Sequence, residues 1–315
     1  MRSRFLLLVA LAALVLVPGS PAVGRADAPT VPIRPGSLPL GEGPAIPAQA
    51  GRHVLEGDAR VPLPASSYLL GRSGTAYVVA ASGRLLRMED DGTRTQIAST
   101  ADDAELQLSG DGAHVIVTRF QRGGRSQVTV LDAETGARVA RRTFPDYAAV
   151  IDADGGRAVL STWSPGRTLW WDFEEDSTSR IVGRPAGHAD IRADRLATFT
   201  GDPYDGGCTV VTSLTRPRRE LWRSCQEAVI AFSPNGRRMA TVHILTDGLG
   251  PGEVHARTIG GRRIATYAAY WFGSVEWETD RVLLVDAHTK RRAALVRCDA
   301  AECERASAVR RDAVG

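Results

Sequence analysis

The sequence predicts an all-β domain, and three observations support that prediction. Short apolar segments recur at a steady spacing, tight-turn residues precede them, and no long stretch repeats its apolar residues with the 3.6-residue period of a helix. A repeat of about 40 residues indicates units that bury their apolar faces against their neighbours. Two β-sandwich domains would not share one period across residues 67–310, so a single repeat architecture is favoured.

Six apolar segments define the repeat, and their first residues are 38 or 43 positions apart. This spacing lies in the range of four-stranded propeller blades. Each segment is predicted to be the second strand of a blade. The segments are Ala76–Val79, His114–Val117, Arg157–Leu160, Arg195–Thr198, Arg238–Thr241 and Arg281–Leu284.

The flanking residues complete the predicted blade. Turn sequences such as Ser109–Gly112 and Ser233–Gly236 precede the segments, and their Gly and Asn residues allow the positive φ of tight hairpins. A second hairpin follows, as in Val128–Asp132 and Arg138–Arg141. A ring of such units protects its strand edges. We therefore predict a β-propeller of about six four-stranded blades, with His53–Glu56 as a closing strand or part of a seventh, degenerate blade.

Three stretches resemble a known family. Ala231–Thr241 resembles the inner hairpin of WD-repeat and TolB-like blades, and Val130–Gly136 and Leu169–Asp172 resemble their third strand and turn. The chain lacks the Gly-His pair and the regular Trp-Asp ending of a true WD repeat. The broader TolB-like or WD-repeat-like class is therefore favoured. The resemblance implies a fold and says little about activity.

The first residues read as a signal peptide, predicted to span residues 1–28. Arg2 and Arg4 precede the apolar run Phe5–Val17, and Ala26–Ala28 is an A-x-A cleavage site. The run is too short to cross a bilayer as a helix. We expect a secreted or envelope-associated bacterial protein, and the single lysine, Lys290, indicates a GC-rich genome.

Residues 29–60 are rich in proline and are predicted to form an extended or disordered leader that the fold does not need. The propeller domain is assigned to residues 61–315. The formal net charge of +3 is too small for a nucleic-acid-binding protein. We expect a monomer with no membrane span and no cofactor.

The four cysteines are predicted to form two disulfides, as is usual in exported chains. Cys208 and Cys225 flank a symmetric hairpin whose turn contains Pro217, and Cys298 and Cys303 flank a four-residue turn. A four-thiolate metal site would need closer spacings and a common location.

No catalytic motif is found, and no catalytic residue is assigned. The sequence contains no nucleophile elbow, P-loop, dinucleotide fingerprint or HExxH. Calcium-dependent propeller hydrolases gather acidic side chains at the axis, and Asp152, Asp190 and Glu276 lie near inner strands. The alternative function is therefore a propeller hydrolase or lyase with an axial metal site, whereas the main hypothesis assigns no metal ligand.

The loops of one propeller face carry the candidate binding residues. Aromatic and arginine residues together are typical of binding hot spots, and the blade register places several of them on that face. The main hypothesis is a non-enzymatic module that binds a protein or glycan there. In the alternative interpretation the aromatic rings only fill gaps between blades. The candidates are Phe120, Arg122, Trp163, Arg167, Tyr204 and Trp271.

Overall fold

The computed structural model describes residues 28–311. Their regular structure is strand, apart from two short 3-10 turns at Pro35–Ser37 and Pro203–Asp205. In chain order the strands are β1 (Thr30–Pro32), β2 (Ala48–Gln49), β3 (His53–Glu56), β4 (Ala59–Pro62), β5 (Ser67–Ser73), β6 (Ala76–Ala81), β7 (Arg84–Met88), β8 (Arg94–Ser99), β9 (Glu105–Leu108), β10 (His114–Gln121), β11 (Arg125–Asp132), β12 (Arg138–Pro145), β13 (Ala149–Asp154), β14 (Arg157–Trp163), β15 (Gly166–Asp172), β16 (Ser177–Val182), β17 (Ala186–Asp190), β18 (Arg195–Phe199), β19 (Thr209–Thr212), β20 (Glu220–Ser224), β21 (Glu227–Phe232), β22 (Arg238–His243), β23 (Glu253–Thr258), β24 (Arg263–Ala268), β25 (Trp271–Trp277), β26 (Leu283–His288), β27 (Arg292–Asp299), β28 (Glu302–Arg305) and β29 (Arg310–Arg311).

These strands form seven sheets that make up a seven-bladed β-propeller. Blades 1 to 6 are the antiparallel four-strand sets β5–β8, β9–β12, β13–β16, β17–β20, β21–β24 and β25–β28. Blade 7 is the three-stranded sheet β2–β4. The first strands of successive blades pack against each other, as β13 does on β17 and β17 on β21, so they form the inner ring. The predicted all-β propeller class is confirmed.

The repeat predicts the second strands well. Strands β6, β10, β14, β18 and β22 begin at the first residues of the predicted segments, and β26 begins at Leu283, two residues after the predicted Arg281. The turns explain this agreement, because they end each first strand at a defined residue. Gly112 and Gly236, for example, adopt φ of 71° and 64°, conformations that other residues rarely adopt.

Blade 7 closes the ring between blades 6 and 1. On one side Ala48 packs with Leu284 and Leu295 of blade 6, and on the other Val54 packs with Tyr77 of blade 1. The innermost strand is β2, with only two residues. The predicted strand His53–Glu56 is the middle strand of this blade. The seventh blade that the sequence left open is therefore present, with three strands instead of four.

The Gln49 side chain joins blade 7 to the inner ring. Its amide oxygen accepts a hydrogen bond from the Leu69 N–H at 2.9 Å, and its amide nitrogen donates to the Ser67 carbonyl at 3.2 Å. Both partners are backbone groups of β5, the inner strand of blade 1. One side chain thus ties the inner strand of blade 7 to the inner strand of blade 1.

Residues 29–60 were expected to form an extended or disordered leader that the fold does not need, and the structure instead packs them against the propeller. Strand β1 pairs in parallel with β24 and adds a fifth strand to blade 5. Ile33 is only 2% exposed, and Leu40 forms a bridge with Arg305 of blade 6. Edge strands accommodate proline because its missing N–H donor is not needed there. Apolar residues between the prolines provide the surface that packs. Residues 1–27, to which the signal-peptide prediction applies, lie outside the described residues.

Both predicted disulfides are present. Cys208 precedes β19 and Cys225 follows β20, and their Cα atoms are 4.0 Å apart. Cys298 and Cys303 face each other across β27 and β28 with a Cα separation of 4.2 Å. The hairpin symmetry of the sequence was sufficient to identify both pairs. Within residues 28–311, no helix has the length and apolar character needed to cross a membrane.

Candidate functional site

The two faces of the ring differ in their exposed apolar side chains. One face of the ring carries the loops between the second and third strands of each blade and the connections between blades. We call it the top face. Within residues 28–311, eight of the ten exposed large hydrophobic side chains lie in these segments or within two residues of them. The other two are Leu40 and Val139. The eight are Tyr68, Phe120, Tyr147, Trp163, Tyr204, Leu245, Leu249 and Tyr270.

On the opposite face, polar turns are joined from blade to blade. The Gly110 N–H of blade 2 donates to the Ala153 carbonyl of blade 3 at 2.8 Å. Arg192 of blade 4 donates to the Gly110 carbonyl at 2.9 Å. The Asn235 N–H of blade 5 donates to Asp280 of blade 6 at 2.8 Å. The polar groups of this face form hydrogen bonds between blades. The candidate binding surface is therefore the top face.

Phe120 and Tyr147 form the first aromatic pair of the top face, with ring centroids 6.3 Å apart. Phe120 is the second-to-last residue of β10, next to the β10–β11 turn. Tyr147 lies in the connection from blade 2 to blade 3. The Tyr147 N–H donates to the Gly124 carbonyl at 3.0 Å, which fixes the connection against the hairpin. Arg167 of blade 3 forms an ion pair with Asp146 in the same connection.

Trp163 and Phe199 link blades 3 and 4. Their rings are stacked with centroids 5.5 Å apart and an interplanar angle of 23°. The Phe199 ring lies directly over Gly187, where an added Cβ would come within 2.4 Å of it. Glycine at position 187 therefore provides the space for this ring, and the ring in turn supports the exposed Trp163.

The third link joins blades 4, 5 and 6. Asp202 caps the short 3-10 turn that carries Tyr204, and the Tyr204 hydroxyl lies 3.4 Å from Asp247 in the β22–β23 loop. That loop, residues 244–252, is tied to blade 6 because the Phe272 N–H donates to the Pro251 carbonyl at 2.9 Å. The top-face loops thus form a connected arc from blade 2 to blade 6.

Trp271 ends this arc on a polar network. Its ring stacks on His288 with centroids 3.5 Å apart. His288 lies 3.0 Å from the Asp286 carboxylate, which also accepts two hydrogen bonds from Arg310. Burial tends to raise the pKa of Asp286, but the hydrogen bonds from His288 and Arg310 lower it by more. The pKa of Asp286 therefore lies below the ordinary value. Trp271 is half-buried and contributes to the packing of blade 6.

The predicted site residues therefore fall into two groups. Phe120, Trp163 and Tyr204 are 39%, 52% and 69% exposed, and Arg122 is exposed at the tip of the β10–β11 hairpin. Trp271 and Arg167 are partly buried and engaged with neighbouring residues. For Trp271 the gap-filling interpretation applies in part. The structure brings all six to the top face, and their role in binding stays a prediction.

Sequence reasoning missed Phe199 and Tyr68. Phe199 is the last residue of β18 and supports Trp163, whereas Tyr68 is the second residue of β5 and is exposed. Both lie outside the segments that the sequence indicated as loops, so a search limited to those segments passes over them. Aromatic residues at strand ends that face the loops would have been the signal.

Two acidic residues of the inner strands accept hydrogen bonds from backbone N–H groups. Asp152 accepts a hydrogen bond from the Ile191 N–H at 2.6 Å, and Asp190 accepts one from the Ala193 N–H at 2.8 Å. Burial raises the pKa of Asp152 to about 7, and the Asp190 carboxylate adds to the rise. Burial also raises the pKa of Glu276. Among residues 28–311, no three His, Cys, Asp or Glu side chains are grouped as a metal ion requires.

Solved structures share the architecture of this chain at low sequence identity. Hsv2 from Kluyveromyces lactis matches with 12% identity and a TM-score of 0.54, over 91% of this chain and 98% of that one. An uncharacterized protein from Listeria monocytogenes EGD-e matches with 13% identity and a TM-score of 0.51, over 89% and 85%. TolB from Acinetobacter baumannii matches with 14% identity and a TM-score of 0.49, over 75% and 61%.

No protein-family model matches the chain, and no curated protein matches it significantly. Identities this low show a common fold and do not transfer an activity. The seven sheets and the match with Hsv2 agree, and the chain has the fold of a WD-repeat-like β-propeller.

Proposed function

We propose that this protein is an exported binding module that holds a protein partner on its top face. The observation that supports this most directly is the one-sided distribution of exposed apolar side chains. Eight of the ten described above lie on the top face. Exposed apolar surface of this kind marks interaction sites in stable monomeric domains.

The composition of the top face favours protein over glycan as the partner. Leu245 and Leu249 are exposed in the loop that contacts Tyr204, and aliphatic side chains add little to sugar binding. Aromatic anchors surrounded by polar groups are the usual core of a protein interface. The two disulfides and the predicted signal peptide support an extracytoplasmic location.

A binding role needs no catalytic group, and none is assigned. The hydrolase or lyase alternative depends on acidic side chains that converge at the axis. Asp152 and Asp190 are engaged with backbone N–H groups, and no observation favours this alternative.

The test is partner binding by the mature protein and two alanine variants. Trp163→Ala and Tyr204→Ala should each weaken partner binding by about 2 kcal/mol, as central hot spots do. Both side chains are more than half exposed, so the melting temperature should change little. Binding is measured by titration after the partner has been identified by cross-linking in an envelope extract.

Val139→Ala is the matched control, because Val139 is exposed but lies away from the top face. It should bind the partner as well as the wild-type protein does. If the two top-face variants also bind normally, the top face is not the interface. If they unfold at a much lower temperature, their rings act as packing between blades.

A further inference from the structure

Blade 2 carries a second exposed surface, separate from the top-face aromatics. Strands β10, β11 and β12 each contain eight residues, whereas β6, β7 and β8 of the neighbouring blade 1 contain six, five and six. The longer blade therefore extends beyond its neighbour at the top. One side of this extension faces the space above blade 1.

The strand register identifies the residues on that side. Residues paired directly across antiparallel strands point to the same face of the sheet. Arg119 is paired with Gln127, and Gln121 is paired with Arg125. Thr129 is paired with Arg141 on the next strand. We call the surface formed by Arg119, Gln121, Arg125, Gln127 and Arg141 the arginine face.

Packing below the arginine face confirms its direction. Val115, Val117 and Leu131 continue the same side of the sheet toward the bottom, and they are buried against Val78 and Leu85 of blade 1. On the other side of the sheet, Arg142 pairs with Asp176 of blade 3. The arginine face is thus the uncovered upper part of the surface whose lower part packs on blade 1.

The guanidinium groups of Arg119 and Arg125 are exposed and have no ion-pair or hydrogen-bond partner among residues 28–311. Arg141 is also exposed and donates to the Gln127 amide oxygen at 2.7 Å. The connection from blade 1 contributes Asp102 and Asp103, and neither pairs with these arginines in the part of the chain that the structure describes. Positive charge is therefore concentrated here without internal compensation.

We propose that the arginine face binds an anionic polysaccharide, with carboxylates on its sugar units. Arginine presents a planar fork that matches a carboxylate. The interleaved Gln121 and Gln127 amides offer donors and acceptors for sugar hydroxyls. Diagonal cross-strand neighbours such as Arg119 and Arg125 are about 7–8 Å apart, so their two guanidiniums can engage separate carboxylates of one polysaccharide chain.

The same features disfavour other anionic partners. The five residues of the arginine face are all polar or charged, and the exposed apolar residue paired with them is Pro145 at its edge, opposite Arg125. A protein interface instead uses large apolar anchors at its centre. Insertion into a lipid surface also needs apolar groups. A hydrophilic, charged and regularly spaced surface fits a hydrated acidic glycan best. The exported character proposed above would place the protein where such polymers occur, but the binding chemistry does not depend on the top-face partner.

Isothermal titration of the mature protein with oligomers of polygalacturonate tests the proposal. The probe should bind in low salt, and binding should weaken as salt increases. The double variant Arg119→Gln/Arg125→Gln should bind about tenfold more weakly or worse, because two charge-assisted contacts are lost. Trp163→Ala should bind the probe normally, which separates this site from the top-face proposal.

Arg218→Gln/Arg219→Gln is the matched control, since it removes the same charge from an exposed turn of blade 4. It should bind the probe as the wild-type protein does. The proposal is overturned if this control weakens binding equally, or if neutral dextran competes as well as polygalacturonate. Equal or tighter binding of polyglutamate, or of phosphatidylglycerol vesicles, would replace the glycan with an acidic polypeptide or a lipid surface.

Discussion

Asp152 illustrates how its surroundings decide what one acidic side chain does. The sequence places it on an inner strand, where the metal-site alternative would use it as a ligand. In the structure its carboxylate accepts the Ile191 N–H and lies near Asp190. Burial raises its pKa to about 7, because water can no longer stabilise the charge fully. The side chain is thus a structural acceptor whose ionisation costs folding free energy.

Replacing this acid should change how stability depends on pH. A carboxyl whose pKa is raised in the folded state contributes its full stabilisation at pH values below its unfolded-state pKa of about 3.9. That stabilisation is lost as the pH rises through the folded-state pKa of about 7. Asp152→Asn keeps an oxygen acceptor without the charge. Relative to wild type, its free energy of unfolding should therefore increase by about 2–4 kcal/mol between pH 4 and pH 8.

Urea unfolding at several pH values measures this difference. Asp58→Asn is the control, because it removes the same charge at an exposed position. If the curves of Asp152→Asn and wild type stay parallel from pH 4 to pH 8, the burial of this carboxyl has been misjudged.

At the scale of the element, hairpins determine both the repeat and the disulfides. The β19–β20 hairpin has short strands of four and five residues, and the Cys208–Cys225 bond closes its open end. The Cys298–Cys303 bond lies within the β27–β28 hairpin, next to its turn. The loops closed differ in length, with sequence separations of 17 and 5.

Removing the two disulfides should cost different amounts. By loop-closure entropy, Cys208→Ser/Cys225→Ser should lower the free energy of unfolding by about 3 kcal/mol, and Cys298→Ser/Cys303→Ser by about 2 kcal/mol. Denaturant unfolding without reductant gives both values. The wild-type protein in reductant should match a variant that lacks all four cysteines. A larger loss from the shorter loop would show that native-state contacts of that hairpin, not loop entropy, dominate.

At the scale of the whole molecule, the N-terminal segment and blade 7 hold the ring together. Strand β1 lies on the outer edge of blade 5, Leu40 bridges to blade 6, and β2–β4 fill the gap before blade 1. Arg297 of blade 6 donates to the Gly43 carbonyl at 2.6 Å and forms an ion pair with Glu278. The N-terminal segment thus crosses two blades before it reaches the seventh.

Deleting the N-terminal residues of the mature chain up to residue 46 should therefore destabilise the protein. It removes β1 and the buried Ile33, which packs with Tyr267 and Val254 in the core between blades 5 and 6. Ile33→Ala alone should cost about 2–4 kcal/mol, as buried large-to-small changes do. Thermal unfolding measures both changes. Leu40→Ala, at a side chain that is 60% exposed, should have little effect. A truncated protein that melts at the wild-type temperature would restore the interpretation of this segment as a dispensable leader.

The candidate site was predictable in part, for reasons that particular residues show. Tyr204 lies in a top-face loop, and Phe120 and Trp163 lie at the strand ends next to such loops. The face of these loops follows from the order of strands in a blade, so their exposure on one side was foreseeable. In the sequence, Arg167 and Arg122 are both arginines near a loop between a second and a third strand. In the structure Arg167 forms an ion pair with Asp146, which lies in the connection from blade 2 to blade 3. No local pattern records that pairing, because it depends on how neighbouring blades pack.

By itself, the sequence determined the all-β class, the blade period, the second strands and both disulfides, because turn chemistry and apolar alternation act over a few residues. The tertiary structure alone decided the blade count, the fate of residues 29–60 and the roles of Asp152 and Trp271. Blade 7 has strands as short as two residues, and β1 pairs with a strand more than two hundred positions away. Such contacts are selected by ring closure and burial, which no local window of the sequence contains.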